Sequence, residues 1–292
     1  MPGQLTWLVT GCSSGLGDAF VRAILDKGDR VIATARPGKG VSGTDRLASL
    51  KEAGAATLEL DVLASQEELN AKAKEAWAIY GQVDVLINNA GYIEAGILEE
   101  FDEQTMISAM RVNVFGPLNV TRSFIPLMRA AKTGTLLFLG SVGVYFGAPG
   151  ASCYSGSKGL IEGLVPNLAI EVAPFGIRTS ILTFGYFRTQ VMSPENVKHG
   201  APNRLPEYEE LNNLIKINLD TANGAQPGDP KKACDIVVEA VRGEGRCAGK
   251  ELPLRLPVGP DTFEAMRASC NERLAICAEW DGITSDTNFD EV

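Results

Sequence analysis

Histidine is almost missing from this chain of 292 residues, which has only His199. A Ser-His-Asp relay or a multi-histidine metal site has nothing to be built from, and much hydrolase chemistry is excluded. The six cysteines, at 12, 153, 234, 247, 270 and 277, include no Cys-x-x-Cys pair. Neither a zinc ribbon nor a thioredoxin-type redox site is suggested, and mostly buried thiols are expected. Basic residues are outnumbered, 27 Lys and Arg against 36 Asp and Glu, for a net charge of −9. That balance gives no general grip on phosphate backbones, so no nucleic-acid partner is expected. No apolar stretch approaches the roughly 20 residues of a membrane span. Met1-Pro2-Gly3-Gln4 leads at once into an apolar strand pattern, with no signal-peptide composition. The expectation is a cytoplasmic protein.

What is present is a regular alternation. Apolar runs of strand length, Leu5-Thr10, Arg30-Ala35, Ala56-Leu60, Val83-Asn88, Thr135-Gly140, Ile177-Thr183 and Leu252-Val258, are separated by stretches of helical period. Those helices are expected at Gly15-Lys27, Thr44-Ala53, Ser65-Tyr80, Asp102-Arg129, Ser152-Ala173, Pro230-Arg242 and Asp261-Ala278. The pattern predicts an α/β fold with a doubly wound, seven-stranded parallel sheet of Rossmann type, helices on both faces, in a single domain. Residues 1–260 would form the catalytic unit, and 261–292 a helix and acidic tail packed on it. Gly185-Asp229 departs from the alternation and follows a strand's C-terminal end. Its length and placement suggest a substrate lid, with disorder as the alternative. His199 falls in it and reads as solvated.

Three short segments carry chemistry. Between the first strand and first helix, Gly11, Ser13, Ser14, Gly15, Leu16 and Gly17 form a glycine loop that can present amide N–H groups and a positive helix end to a pyrophosphate. Its spacing is not Gly-x-Gly-x-x-Gly, and such loops also serve simply to close a strand-helix turn. The second strand ends Ala33-Thr34-Ala35-Arg36, without the acid that usually holds a ribose 2′-hydroxyl in NAD sites. Arg36 can instead pair with a 2′-phosphate, which favours NADP(H) over NAD(H), unless it is an ordinary solvated arginine. Tyr154 and Lys158 lie four residues apart, on one face of a helix, where an ammonium can tune a phenol toward proton transfer.

Thr10-Gly17, Asn88-Asn89-Ala90-Gly91, Asn113, Ser141 and the Tyr154/Lys158 pair occur in the order and at about the intervals of the short-chain dehydrogenase/reductase family, which the chain resembles from residue 5 to about 190. It is similar in particular to single-domain, NADP-preferring reductases of hydroxysteroid- or retinol-dehydrogenase type. The resemblance implies that Tyr154 exchanges a proton with a carbonyl or alcohol oxygen. It implies that Lys158 lowers the phenol's pKa and binds the nicotinamide ribose, that Ser141 hydrogen-bonds the reacting oxygen, and that Asn113 holds a water linking Lys158 to solvent. Asp61 and Val62 would border the adenine, Asn89, Ala90 and Gly91 the adenosine ribose, and Phe187 and Thr189 the nicotinamide. Asp61 also reads as a cap for the next helix, Asn88 and Asn89 as turn residues, and Ser141 as a loop hydroxyl.

The chain departs from the family pattern twice. Phe184-Gly185 stands where Pro-Gly is usual, so the nicotinamide contacts are the open part of the resemblance. Pro166 falls inside the helix that usually forms the dimer surface and is expected to kink it, so a homodimer or homotetramer is an expectation only. Tyr186, Phe187, Val191 and Met192 in the lid, with Val142, Val144, Tyr145 and Phe146 after Ser141, suggest an apolar pocket. The function implied is interconversion of a medium to large hydrophobic ketone and its secondary alcohol. The alternatives are a non-catalytic NADP-binding scaffold or sensor, and an isomerase or cyclase of the same fold using NADP as a template.

Overall fold

The computed structural model describes residues 3–193, 196–198 and 200–289. Seven strands form one parallel sheet: β1 (Thr6–Val9), β2 (Arg30–Ala35), β3 (Ala56–Glu59), β4 (Val85–Asn88), β5 (Gly134–Ser141), β6 (Ile177–Phe184) and β7 (Arg255–Val258). Their order is β3-β2-β1-β4-β5-β6-β7, so the chain winds outward from β1 in one direction, then returns to place β4 on its other side. The crevice beyond the C-terminal ends of β1 and β4 is therefore the switch point at which ligands bind in such sheets.

The period-2 alternation of the strands feeds two cores. Trp7, Val9, Val31 and Ala33 face α1 (Gly15–Asp26) and α8 (Pro230–Arg242), burying Phe20, Ile24, Val237 and Val238 with them. Leu8, Ile32, Leu86 and Leu136 face α3 (Gln66–Tyr80), α5 (Gly116–Ala131) and α6 (Ser152–Val172), against Leu69, Phe124 and Ile161. Helix ends follow local chemistry. Ser65 and Glu68 form a reciprocal capping box at α3. Asp229 accepts from Lys231 N and Lys232 N at the start of α8, with Pro230 in its first turn.

The structure corrects several expectations. Asp102-Arg129 is not one helix: α4 (Glu103–Met110) passes into a π turn (Arg111–Phe115) before α5. Pro166, expected to kink α6, lies inside a helix that continues to Val172. Asp61 does not cap α3, which Ser65 does; its Oδ1 accepts from Leu63 N at 2.9 Å and closes the turn before the cap. Only Cys12, Cys153 and Cys234 are buried, whereas Cys270 and Cys277 are exposed. Those two lie on α9 (Pro260–Thr284), seven residues longer than expected and exposed along its second half.

The segment after β6 is mainly α7 (Glu209–Ala222), preceded by a two-residue strand, Val197–Lys198, paired with Ile93–Glu94. Its foot is closed by Arg188 N→Gly228 O (2.9 Å) and Gly228 N→Tyr186 O (3.0 Å). Its far side is latched by Glu100, a fully buried carboxylate that accepts from Leu205 N at 3.0 Å, Asn212 Nδ2 at 2.9 Å and Arg204 Nη1 at 3.2 Å. Burial alone pushes this carboxyl's pKa up, but these donors outweigh it and hold it below the ordinary glutamate range. His199 lies outside the described residues.

Candidate active site

Thr10, at the end of β1, ties the crevice together. Its hydroxyl accepts from both Asn89 N and Ala90 N at 3.0 Å, and Asn89 Nδ2 returns bonds to Thr10 O (2.7 Å) and Gly11 O (3.1 Å). Asn89 thus braces the glycine loop against the loop after β4. Gly11 and Gly15 have φ of +72° and +63°, and a Cβ on Gly17 would lie 2.7 Å from Asn89 Nδ2 and 2.9 Å from Cys12 Cα. Ser14 is the extended N-cap of α1, and its side chain makes no capping bond, which leaves first-turn amides to a ligand. Thr189 lies across from this loop, 3.6 Å from where a Gly15 Cβ would be. Leu16 packs on the core behind the loop, and Val62 against the start of α5 at Gly116. Cys12 beside the loop is no nucleophile, because burial pushes its thiol up to about 12.

The reacting groups gather at the C-terminal end of β5. The first turn of α6 carries Tyr154, and its second turn carries Lys158. Lys158 Nζ donates to Leu139 O at 2.9 Å and stands 5.9 Å from the centre of the Tyr154 ring. Gly91 leaves the room above it: a Cβ there would lie 3.8 Å from Nζ and 3.1 Å from Asn113 Oδ1. The π turn explains Asn113's place. It aims the amide inward, where Oδ1 accepts from Tyr92 N (3.1 Å) and Nδ2 donates to Tyr92 O (3.0 Å) and Ser157 Oγ (3.1 Å).

Burial dominates the electrostatics. The Tyr154 phenol is raised above its ordinary value of 10.0 by desolvation, against which a hydrogen bond with Ser141 pulls down, while the Tyr186 phenol adds to the rise. The Lys158 ammonium is lowered by burial from 10.5 to about 8. Tyr154 is therefore a protonated phenol at neutral pH, and the lysine carries a charge the interior makes costly. Ser141 and Tyr154 together form a pair of hydroxyls that can bind and protonate an oxygen.

Sequence reading missed three contributions: the carboxylate of Asp261, the packing of Phe184 with the phenol of Tyr186 beyond it, and Arg46. Asp261, in the first turn of α9, accepts from Tyr186 N at 2.6 Å, and a Cβ on Gly185 would collide with its carboxylate. It fixes the turn after β6. Phe184, standing where the family usually has proline, is buried between Phe20 and Phe187, with ring centres 6.0 and 5.4 Å away. The Phe187 ring is therefore committed to the core, and only its backbone is left to face a ligand. Tyr186 is the second phenol near Tyr154. Arg46 is the third contributor; its Nη2 donates to Ser13 Oγ and its Nη1 to Arg36 O, each at 3.1 Å.

Residues 6–200 match the family model for short chain dehydrogenase. This chain belongs to that family. It is 34% identical over 258 residues to an oxidoreductase, BOA17, of Botryotinia fuckeliana, a match covering 88% of this chain and 90% of the relative. It is 35% identical over 246 residues to 17-beta-hydroxysteroid dehydrogenase type 1 of Homo sapiens, covering 80% and 73%. Among solved structures it is similar to a short-chain dehydrogenase from Streptomyces avermitilis, with a TM-score of 0.83, 33% identity, and coverage of 98% and 99%. The short-chain dehydrogenase described here is thus an oxidoreductase. Among the described residues, no helix is long and apolar enough to cross a membrane, and no His/Cys/Asp/Glu cluster could hold a metal ion.

Proposed function

We propose that this short-chain dehydrogenase uses NADP(H) to interconvert a medium to large hydrophobic ketone and its secondary alcohol. The observation that carries the reading is the convergence of the Ser141 and Tyr154 hydroxyls beside buried Lys158, at the mouth of a crevice whose glycine loop suits a dinucleotide. When bound, a nicotinamide supplies or accepts hydride at carbon. Everything else falls to this chain. The first-turn amides of α1 hold the pyrophosphate, and Lys158, below Gly91, holds the nicotinamide ribose. Ser141 and Tyr154 bind the carbonyl oxygen where negative charge develops, and Tyr154 delivers its proton there. Arg36 pairs with the 2′-phosphate, and no acid follows β2 to repel it. Half-exposed Tyr186 and partly buried Met192 support an apolar pocket. The human relative's name points to the same class of substrate.

The test is cofactor consumption by purified protein with NADPH and NADH against cyclic, steroid-like, polyketide-like and aliphatic ketones. Turnover of a hydrophobic ketone with NADPH is expected, whereas conversion without net cofactor oxidation would point to a template role instead. Arg36→Ala is expected to raise the NADPH dissociation constant about ten- to a hundredfold, the worth of a hydrogen bond to a charged group, and to leave NADH nearly unaffected. Equal weakening of both would remove the phosphate contact.

The lid belongs to the same proposal. Helix α7 buries only Ile215 among its side chains, so little beyond the Asn212 bonds to Glu100 ties it to the body. Residues 209–222 are expected to exchange amide hydrogens much faster than the central strands, and to slow when NADP and a substrate analogue are both bound. Protection equal to that of β4 and β5 in the free protein would show a fixed wall.

A further inference from the structure

The loop between β2 and α2 (Ala48–Glu52) is folded onto the end of the sheet. Gly38 N donates to Val41 O at 2.8 Å, and Gly43 N donates to Glu59 Oε2 at 2.6 Å. Buried Gly43 sits so close to Ala35 O that no Cβ would fit, so the loop's path is set by contact rather than by a free hinge. That path brings Arg46 back over the glycine loop. Its guanidinium bridges Ser13 Oγ and Arg36 O and stands beside the residue to which the 2′-phosphate has been assigned. Among the described residues, no carboxylate forms an ion pair with Arg36 or Arg46, although acids outnumber bases along the chain. Glu59, the nearest acid in register with Ala35, spends one carboxylate oxygen on the Gly43 amide. A guanidinium without a carboxylate partner, held on the backbone of a second arginine that has none either, makes a place on an acidic protein for a doubly charged anion.

We infer that Arg46 is a second arm of the 2′-phosphate site and a determinant of cofactor choice, an inference that rests on the NADP reading above. A guanidinium has five N–H donors, of which the two bonds to Ser13 and Arg36 use two. The three left over can reach a phosphate, and because Ser13 Oγ accepts from Arg46 its own proton is free for the same oxygens. Arg46 thus closes a ring of donors formed by Arg36, Ser13 and itself. A 2′-hydroxyl brings no charge to this ring, so NADH gains little from it. Glu59 is a positioning residue that holds the loop carrying Arg46.

The test is calorimetric binding of NADPH, NADH, adenosine 2′,5′-bisphosphate and adenosine 5′-phosphate to wild type, Arg46→Ala, Arg46→Lys and Arg36→Ala. Arg46 is exposed, so the variants are expected to melt with the wild type. Arg46→Ala is expected to weaken NADPH and the bisphosphate about ten- to a hundredfold while NADH and the monophosphate change by less than about twofold. Arg46→Lys should fall between, keeping charge but losing the planar fork. If Arg46→Ala weakens phosphorylated and unphosphorylated ligands alike, or neither, the inference is overturned, because Arg46 then only shapes the loop or does nothing. A change of preference in Arg36→Ala alone would keep the NADP reading and remove Arg46 from it. Equal binding of NADPH and NADH by wild type would remove both.

Discussion

Tyr154→Phe is expected to lower turnover by about two to four orders of magnitude, the worth of a positioned proton-transfer group, while the cofactor's dissociation constant stays within about twofold. The substitution removes one oxygen and keeps the ring in the first turn of α6. Tyr154 is raised in pKa by burial, so it is the proton donor for reduction throughout neutral pH. Reduction is therefore expected to be flat across neutral pH and to fall only as the phenol ionises, whereas oxidation of the alcohol rises over the same alkaline range. Steady-state kinetics in both directions, with cofactor binding measured separately, decide the matter. Wild-type turnover in the phenylalanine variant would remove Tyr154 from the chemistry and favour a cofactor-binding sensor.

The parts of the molecule that were legible are those whose causes are local. Strand β2 and helix α8 match their expected bounds residue for residue. Each apolar run is stopped by residues with one plain use, such as Asp229-Pro230 at a helix start and Gly243 with φ +64° at its end. Asn113, Ser141, Tyr154 and Lys158 were legible because a family resemblance supplied what distance in sequence hides. Between them the structure adds the π turn. Nothing in Arg111–Phe115 announces it, although Gly116-Pro117 immediately after gives a reason for the helix to re-form there. Arg46 was illegible for a similar reason. Its partners, Ser13 and Arg36, are reached only because Gly43 lets the loop lie against β2, a packing fact no spacing encodes.

The resemblance implies that Lys158 lowers the pKa of Tyr154, and burial of the phenol works against that by raising it. The cost falls on Lys158 itself, and that gives a second large effect. Its pKa is about 10.5 in the unfolded chain and about 8 in the fold. Below pH 8 both states hold the proton and the full penalty is present. Between 8 and 10.5 the unfolded state binds more protons, so stability rises with pH and the penalty is lost. A shift of this size amounts to about 3 kcal/mol. Lys158→Met removes it, but strands the Leu139 carbonyl that the ammonium satisfied, at about 1–3 kcal/mol. The variant is thus expected to be inactive, more stable than wild type by up to about 2 kcal/mol at pH 7, and less stable near pH 10. Urea unfolding of both proteins from pH 7 to 10 measures this directly, because other titrating groups cancel in the difference. A difference that stays constant over that range would show that the lysine is not held in a costly charged state. A crossing near pH 9 would show that the fold accepts lost stability to keep an ammonium under the proton-transfer site.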